Sequence, residues 1–304
     1  MKSTHNRFAG ILWGMLSGAS FGLIPLFTLP LLAEGVTTDS VLFYRFATSA
    51  IIIGLILLLR GESFRINKHQ AIRLTLLGLL YMSSSFFLLW GYEFMAAGIA
   101  TAVHFLYPVC VVLLMTLFFG ERASVKNFGA VILAVIGVAV LSSAESGLSH
   151  STSTQGIIIV IISSLAYAIY IIGVKKMNIG TLSDFKLSFY VISTTALMFL
   201  IKATLMGDGI TVVQNATQTT NIILLALIPT VLSNFALIKA IKSVGSTTTS
   251  ILGALEPMTA VTIGVLVFNE HTSTSHIIGI ILIIGAVITI ILKRTDFTIK
   301  KKLF

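Results

Sequence analysis

Apolar residues run along this chain in long blocks, and polar residues gather at the joints between them. A membrane-spanning helix needs about 20 mostly apolar residues. Ten blocks of that kind can be read, at 8–32, 41–59, 72–93, 99–119, 127–141, 156–174, 186–201, 222–237, 247–268 and 276–292. The pattern predicts an all-α membrane protein of ten transmembrane helices.

Two of the blocks are copies of one plan. Counting back 149 positions from Pro257 reaches Pro108 in His104-Phe105-Leu106-Tyr107-Pro108, and counting back 149 from Glu270 reaches Glu121. In each copy a small-residue lead-in, Ala96-Ala97-Gly98 or Gly245-Ser246-Thr247-Thr248, opens an apolar block. A proline sits near its middle, an acid lies 13 residues later, and a glycine-bearing apolar block follows. The chain therefore reads as a duplicated unit. Five helices per copy is an odd number, so the second copy starts on the opposite side of the membrane and the repeats are inverted. Such repeats, with sites near the bilayer midplane, recur in secondary transporters. The predicted divisions are an N-terminal tail 1–7, a first repeat 8–142, a linker 143–155, a second repeat 156–292 and a basic tail 293–304.

Composition agrees. Of 304 residues, 56% are hydrophobic and 10% charged, with mean hydropathy +1.01, against roughly 25% charged residues in soluble domains. The net charge of +9 reads as orientation and not as a nucleic-acid surface. With the N-terminus in the cytoplasm, 18 of the 20 Lys and Arg fall on cytoplasmic segments, leaving Lys202 outside and Arg45 within the membrane. The positive-inside rule then places both termini in the cytoplasm of a multi-pass protein of the cytoplasmic (inner) membrane. The first block is too long for a cleavable signal peptide and lacks a small-residue cleavage site. The lone Cys110 allows no internal disulfide. Neither a metalloprotease His-Glu-x-x-His motif nor a phosphate-binding Gly-x-x-x-x-Gly-Lys-Ser/Thr loop is present, and the six His are scattered, so no enzyme, metal, cofactor or ATP-driven pump is implied. The expected partners are the lipid bilayer and a small molecule. The oligomeric state stays open between monomer and homodimer.

The block from Gly245 to Val287, with Leu255-Glu256-Pro257, Asn269-Glu270, Gly279 and Gly285, resembles the second half of EamA-type transporters in the drug/metabolite transporter superfamily. The first half is similar to its partner domain through Tyr44-Arg45-Phe46, Tyr107-Pro108, Gly120-Glu121, Gly129 and Gly137. The resemblance implies a proton- or gradient-coupled carrier, or a facilitator, of small polar metabolites, most often an exporter of amino acids or related compounds. It departs from the family at the second acid loop, where Asn269 stands for the usual glycine. A channel-like facilitator or a structural membrane protein is the alternative.

Candidate residues follow from what hydrocarbon penalises. Gly10, Gly14, Gly18 and Gly22 keep a four-residue spacing that lets backbones approach, the signature of a helix–helix contact. Pro25 and Pro30 predict a kink at the outer end of that helix. Trp13, Ser17 and Ser20 share another face. Arg45 costs about 2.5 to 3.5 kcal/mol within a span. It lies about 10 Å from the external end of its helix at 1.5 Å per residue, and either docks a substrate carboxylate, snorkels to the external interface, or pairs with Asp39 or Glu93. Trp90 is either a pathway residue or an interfacial anchor. His104 and Tyr107 are predicted one turn apart on one helical face with Val111, and Ser163, Tyr167 and Tyr170 on another. Asn234 needs a partner. Glu256 is the carboxylate placed near the bilayer centre, where a bare charge is costly and a proton or counter-charge is expected; it either carries a coupling proton or secures the backbone beside Pro257.

Overall fold

The computed structural model describes residues 2–120, 129, 132–133, 135–137, 140, 153–177, 182–207, 209–245, 249, 252–253, 255–270 and 273–300. Within them the chain is helical. Helices α1 (Lys2–Phe21) and α2 (Ile24–Ala33) form the first apolar rod, interrupted at Gly22-Leu23. Pro25 stands in the first turn of α2, where its missing N–H leaves no intrahelical bond unmade. The predicted kink thus falls before Pro25. Helix α3 (Thr38–Leu59) is capped by Thr37, whose side chain accepts from the Ser40 N–H. Helix α4 (Lys68–Gly91) opens on a reciprocal Asn67/Gln70 capping box.

Helices α5 (Ala97–His104) and α6 (Tyr107–Phe119) are the halves of one rod, parted at Phe105-Leu106 with Pro108 in the first turn of α6. Then come α7 (Thr154–Lys176), α8 (Asp184–Met206) and α9 (Ala216–Ala226). A π-helical turn (Leu227–Leu232) joins α9 to α10 (Ser233–Val244), and α11 (Leu255–Phe268) and α12 (Thr274–Lys300) complete the chain. Among the described residues, seven rods are long and apolar enough to cross a membrane, and the parts of α11 and α12 at Leu255–Phe268 and Thr274–Ala286 are shorter apolar helices. The predicted block at 127–141 and the linker at 143–155 lie mostly outside the described residues. Helix α12 continues through positions 293–300, where a tail was expected.

The most extensive packing runs between the two halves: α3 with α8, α4 with α7, α1 with α10, α4 with α8, α5 with α11, and α6 with α7. Under the duplication, α1 corresponds to α7, α3 to α8, α4 to the α9–α10 rod, and α5–α6 to the rod ending in α11. The α1–α10 contact then has its mate in α7–α4, and the α1–α11 contact in α7–α6, while α3–α8 pairs with itself. Reciprocal and self-paired contacts are what a twofold relation between like units produces. The outer surface is apolar, with Ile51, Leu58, Leu117, Phe118 and Leu266 exposed as a lipid-facing layer.

The glycine stripe sets how closely α1 approaches the second half. A side chain at Gly10 would meet Ser243 and Val244, at Gly14 Leu252, at Gly18 the Gly253 backbone, and at Gly22 the Glu256 carbonyl and Thr259. Because the obstacle at Gly22 is backbone, Gly22→Ala is expected to destabilise the protein by about 1–3 kcal/mol, the usual cost of overpacking. Gly129→Ala, which faces open space, should change little. Thermal unfolding in detergent reads the difference, and equal midpoints would count against the close contact.

Candidate functional site

The 149-residue offset carries Tyr107 onto Glu256, Pro108 onto Pro257 and His104 onto Gly253. Both helix interruptions therefore occupy the same place in the two copies: α5 stops at His104, and α11 starts at Leu255 after a turn at Gly253. Each proline then sits in the first turn of a new helix. Tyr107 and Glu256, equivalent by the repeat, face each other, and the phenol is a hydrogen-bonding neighbour of the carboxyl group. They line a cavity of about 10 Å3, together with Gly14, Ser17, Gly18, Phe21, Tyr167, Leu237, Thr249 and Gly253. That is about the room of one water molecule.

Arg45 is buried beside this cavity, 1% exposed. Its Nε donates to Thr230 Oγ1 at 2.7 Å, and its guanidinium lies over the rings of Phe46 and Phe21 at 4.9 and 5.8 Å. The π-helical turn makes this possible. Pro229 has no N–H to give the Leu225 carbonyl, so Thr230 Oγ1 donates there at 2.8 Å. Ser49 Oγ donates to the Arg45 carbonyl at 2.7 Å and lies 3.2 Å from the neighbouring Ala226 carbonyl. Among the described residues Arg45 Nη2 has no partner, and neither does Glu256 Oε1, although Glu256 is only 2% exposed. No ion pair joins the two side chains among the described residues, yet Arg45 and Glu256 both lie within electrostatic reach of Tyr81 and Tyr92.

The expected pairing of Arg45 with Asp39 or Glu93 is not formed. Asp39 takes Lys202 at 2.6 Å, nearer the helix ends, where an ammonium and a carboxylate both keep some solvent. Glu93 and Trp90 line a separate outer pocket of about 550 Å3 with Asp39, Phe86 and Lys202, so Trp90 does not join the central group. Nor does Trp13, whose half-buried ring packs on Phe235 at 5.8 Å and under Lys239 at 5.0 Å. Ser17 does, exchanging hydrogen bonds with Ser233: its Oγ donates to the Ser233 carbonyl at 2.9 Å, and Ser233 Oγ donates to the Ser17 carbonyl at 3.0 Å.

His104 and Tyr107 come together across a helix break and not along one face, with ring centroids 5.7 Å apart. Tyr167 stands edge-on to Tyr107 at 4.8 Å and beside Tyr170 at 5.9 Å. Asn234 finds two phenols: its Nδ2 donates to Tyr81 Oη at 2.7 Å, and Tyr170 Oη donates to its Oδ1 at 3.2 Å. The sequence reading missed Tyr81, Phe21 and Thr230. Tyr81 carried a usable signal, because it forms a polar strip with Ser84 and Ser85 at helical spacing within an apolar block; Phe21 carried none.

The acid that closes the second motif also has a structural partner. Glu270 Oε1 accepts from the Ala97 N–H at 3.2 Å, and the Gly98 N–H also contributes. The carboxylate thus caps the N-terminus of α5, where the helix dipole favours an anion. Gly264 leaves the space it occupies. Its twin Glu121 lies outside the described residues. Burial pushes the Glu270 carboxyl above its usual range, against the pull of the two N–H groups. The capped arrangement therefore holds a proton more tightly than an exposed carboxyl at about 4.3. In the pH interval above that ordinary value, acidification should favour the capped arrangement and alkalinity should loosen it. In a Cys110→Ser background, the labelling rate of Ala96→Cys, divided at each pH by that of an exposed reference cysteine so that the thiolate fraction cancels, should fall as the pH is lowered from neutral toward the ordinary carboxyl range, and Glu270→Gln should remove that fall. An unchanged pH response in Glu270→Gln would exclude the cap as its source.

A two-copy helical bundle whose halves meet around paired helix breaks is the build of a duplicated membrane transporter. The chain belongs to the EamA-like transporter family, whose sequence profile matches twice, over residues 8–143 and 154–292. A solved structure described only as "Crystal structure of protein" is similar in fold, with TM-score 0.71 at 15% identity, covering 96% of this chain and 99% of that one. No curated protein matches.

Proposed function

We propose that the protein is a secondary carrier of small zwitterions such as amino acids, working by alternating access between the two repeats. The observation that carries this reading is the pair of opposite charges, Arg45 and Glu256, buried in one aromatic enclosure with an unpaired atom each and no ion pair between them. Unpaired buried polar groups are costly, and one molecule bearing both a carboxylate and an ammonium group would satisfy both. Arg45 would dock the carboxylate. Glu256 would hold either the ammonium group or a proton, so that substrate and proton occupy it in turn; that exclusion is sufficient for exchange of one against the other. The small cavity supports a carrier that opens one end at a time over a channel-like conduit. Export, placement in the cytoplasmic membrane with both termini inside, and the division at 142 and 156 belong to the same proposal.

The test is counterflow in proteoliposomes with a neutral amino acid, its decarboxylated amine and its deaminated acid. The zwitterion should be exchanged and the two half-molecules should not. Comparable exchange of the amine or the acid would overturn the two-charge reading.

A further inference from the structure

His104 ends α5 and is fully buried. Its backbone is fixed from α7, since Ser164 Oγ donates to the His104 carbonyl at 2.8 Å. Its ring is fixed by Ser163, whose Oγ lies 3.0 Å from Nδ1. A hydroxyl has one proton to give. Ser163 already gives it to the Ser84 carbonyl at 2.6 Å, so toward His104 it acts as acceptor, and the ring proton sits on Nδ1. No carboxylate pairs with the ring among the described residues, which leaves the neutral imidazole with Nε2 as a bare lone pair. That tautomer follows from the hydrogen-bond network.

Nε2 has no protein donor among the described residues, although it is buried. Around the ring stand Phe21, Tyr167 and Tyr107, at centroid distances of 6.5, 5.3 and 5.7 Å, and all three line the central cavity. An acceptor held in place to this degree with no protein donor gains from an incoming N–H or O–H.

We propose that His104 is a specificity-determining residue: its Nε2 accepts a hydrogen bond from a donor on the side chain of the transported zwitterion. The carrier then prefers donor-bearing substrates over apolar molecules of the same shape. This rests on the reading of Arg45 and Glu256 as the zwitterion site. Sites that hydrogen-bond a substrate discriminate strongly against the analogue lacking that group, because their own polar atom is then left unpaired.

Threonine and valine, nearly equal in shape, supply the test. Counterflow with the reconstituted protein should favour threonine by about tenfold or more. In His104→Leu the preference should fall to near unity with exchange of valine retained. In His104→Gln, whose amide can donate to Ser163 and still offer an oxygen, it should be partly kept. A threonine-to-valine ratio unchanged in His104→Leu overturns the proposal. Absence of exchange for both amino acids would instead sink the zwitterion reading. Independently of transport, 15N spectra of histidine-labelled protein, assigned by difference with His104→Gln, should show the Nδ1–H form; an Nε2–H ring or an imidazolium would overturn the role of His104 on its own.

Discussion

Arg45→Leu is expected to reduce zwitterion exchange by about 100-fold or more while the protein still folds and inserts. A docking charge in a dry site contributes about 2–5 kcal/mol when its partner would otherwise be unpaired, and each 1.4 kcal/mol is a factor of ten. Leucine removes that charge and frees Thr230, which keeps its own bond to the Leu225 carbonyl, so the π-helical turn should survive. Arg45→Lys should retain part of the activity, losing about tenfold, because an ammonium keeps the charge but lacks the planar fork that bonds Thr230 through Nε and presents Nη2 separately. The checks are initial exchange rates and size-exclusion profiles of both variants. Equal loss of folded protein in Arg45→Leu and Arg45→Lys would make the residue a structural one.

Glu256→Gln should separate coupling from movement. Glutamine keeps the shape and can still bond Tyr107, but it cannot exchange a proton, so a pH gradient should no longer drive accumulation. Exchange of substrate on both sides should persist at raised concentration, since Arg45 still docks the carboxylate and no net change of protonation is needed. Loss of an ionic partner for the ammonium group should weaken affinity by about tenfold or more, the scale of a hydrogen bond to a charged group. Glu256→Gln protein that still accumulates substrate against a gradient when the external pH is changed would rule out the coupling role.

Much of this site could be read in advance because hydrocarbon makes polar residues conspicuous. Arg45, His104, Asn234 and Glu256 stood out as polar groups in apolar blocks, and all four are buried. The internal offset of 149 links the two proline motifs by sequence alone. What the offset did not disclose is that Tyr107 and Glu256, equivalent positions of different chemistry, would meet. A shared place in two copies becomes a contact only where the twofold axis passes.

The misplacements share a cause. Asp39 is one of the two carboxylates the sequence offers to Arg45, yet its partner is Lys202, 163 positions away. The face that Trp13 shares with Ser17 and Ser20 in the sequence does not bring it to the central group: its neighbours are Phe235 and Lys239, and Trp90 lines the outer pocket. His104 and Tyr107 were placed on one helical face; the chain breaks between them, because Pro108 is accommodated best at a helix start.

The sequence by itself determined the membrane class, the duplication and the identity of the buried charges, since each depends on local hydropathy, on spacing or on the cost of a charge in lipid. The tertiary structure alone decided which groups complete one another: Thr230 for the Arg45 Nε, Ser163 for the His104 Nδ1, and the Ala97 and Gly98 N–H groups for Glu270. Those pairings join residues 59 to 185 positions apart. An apolar block presents nearly the same surface on every side, so its pattern does not say which face will meet which neighbour; only the packing of the two halves fixes that.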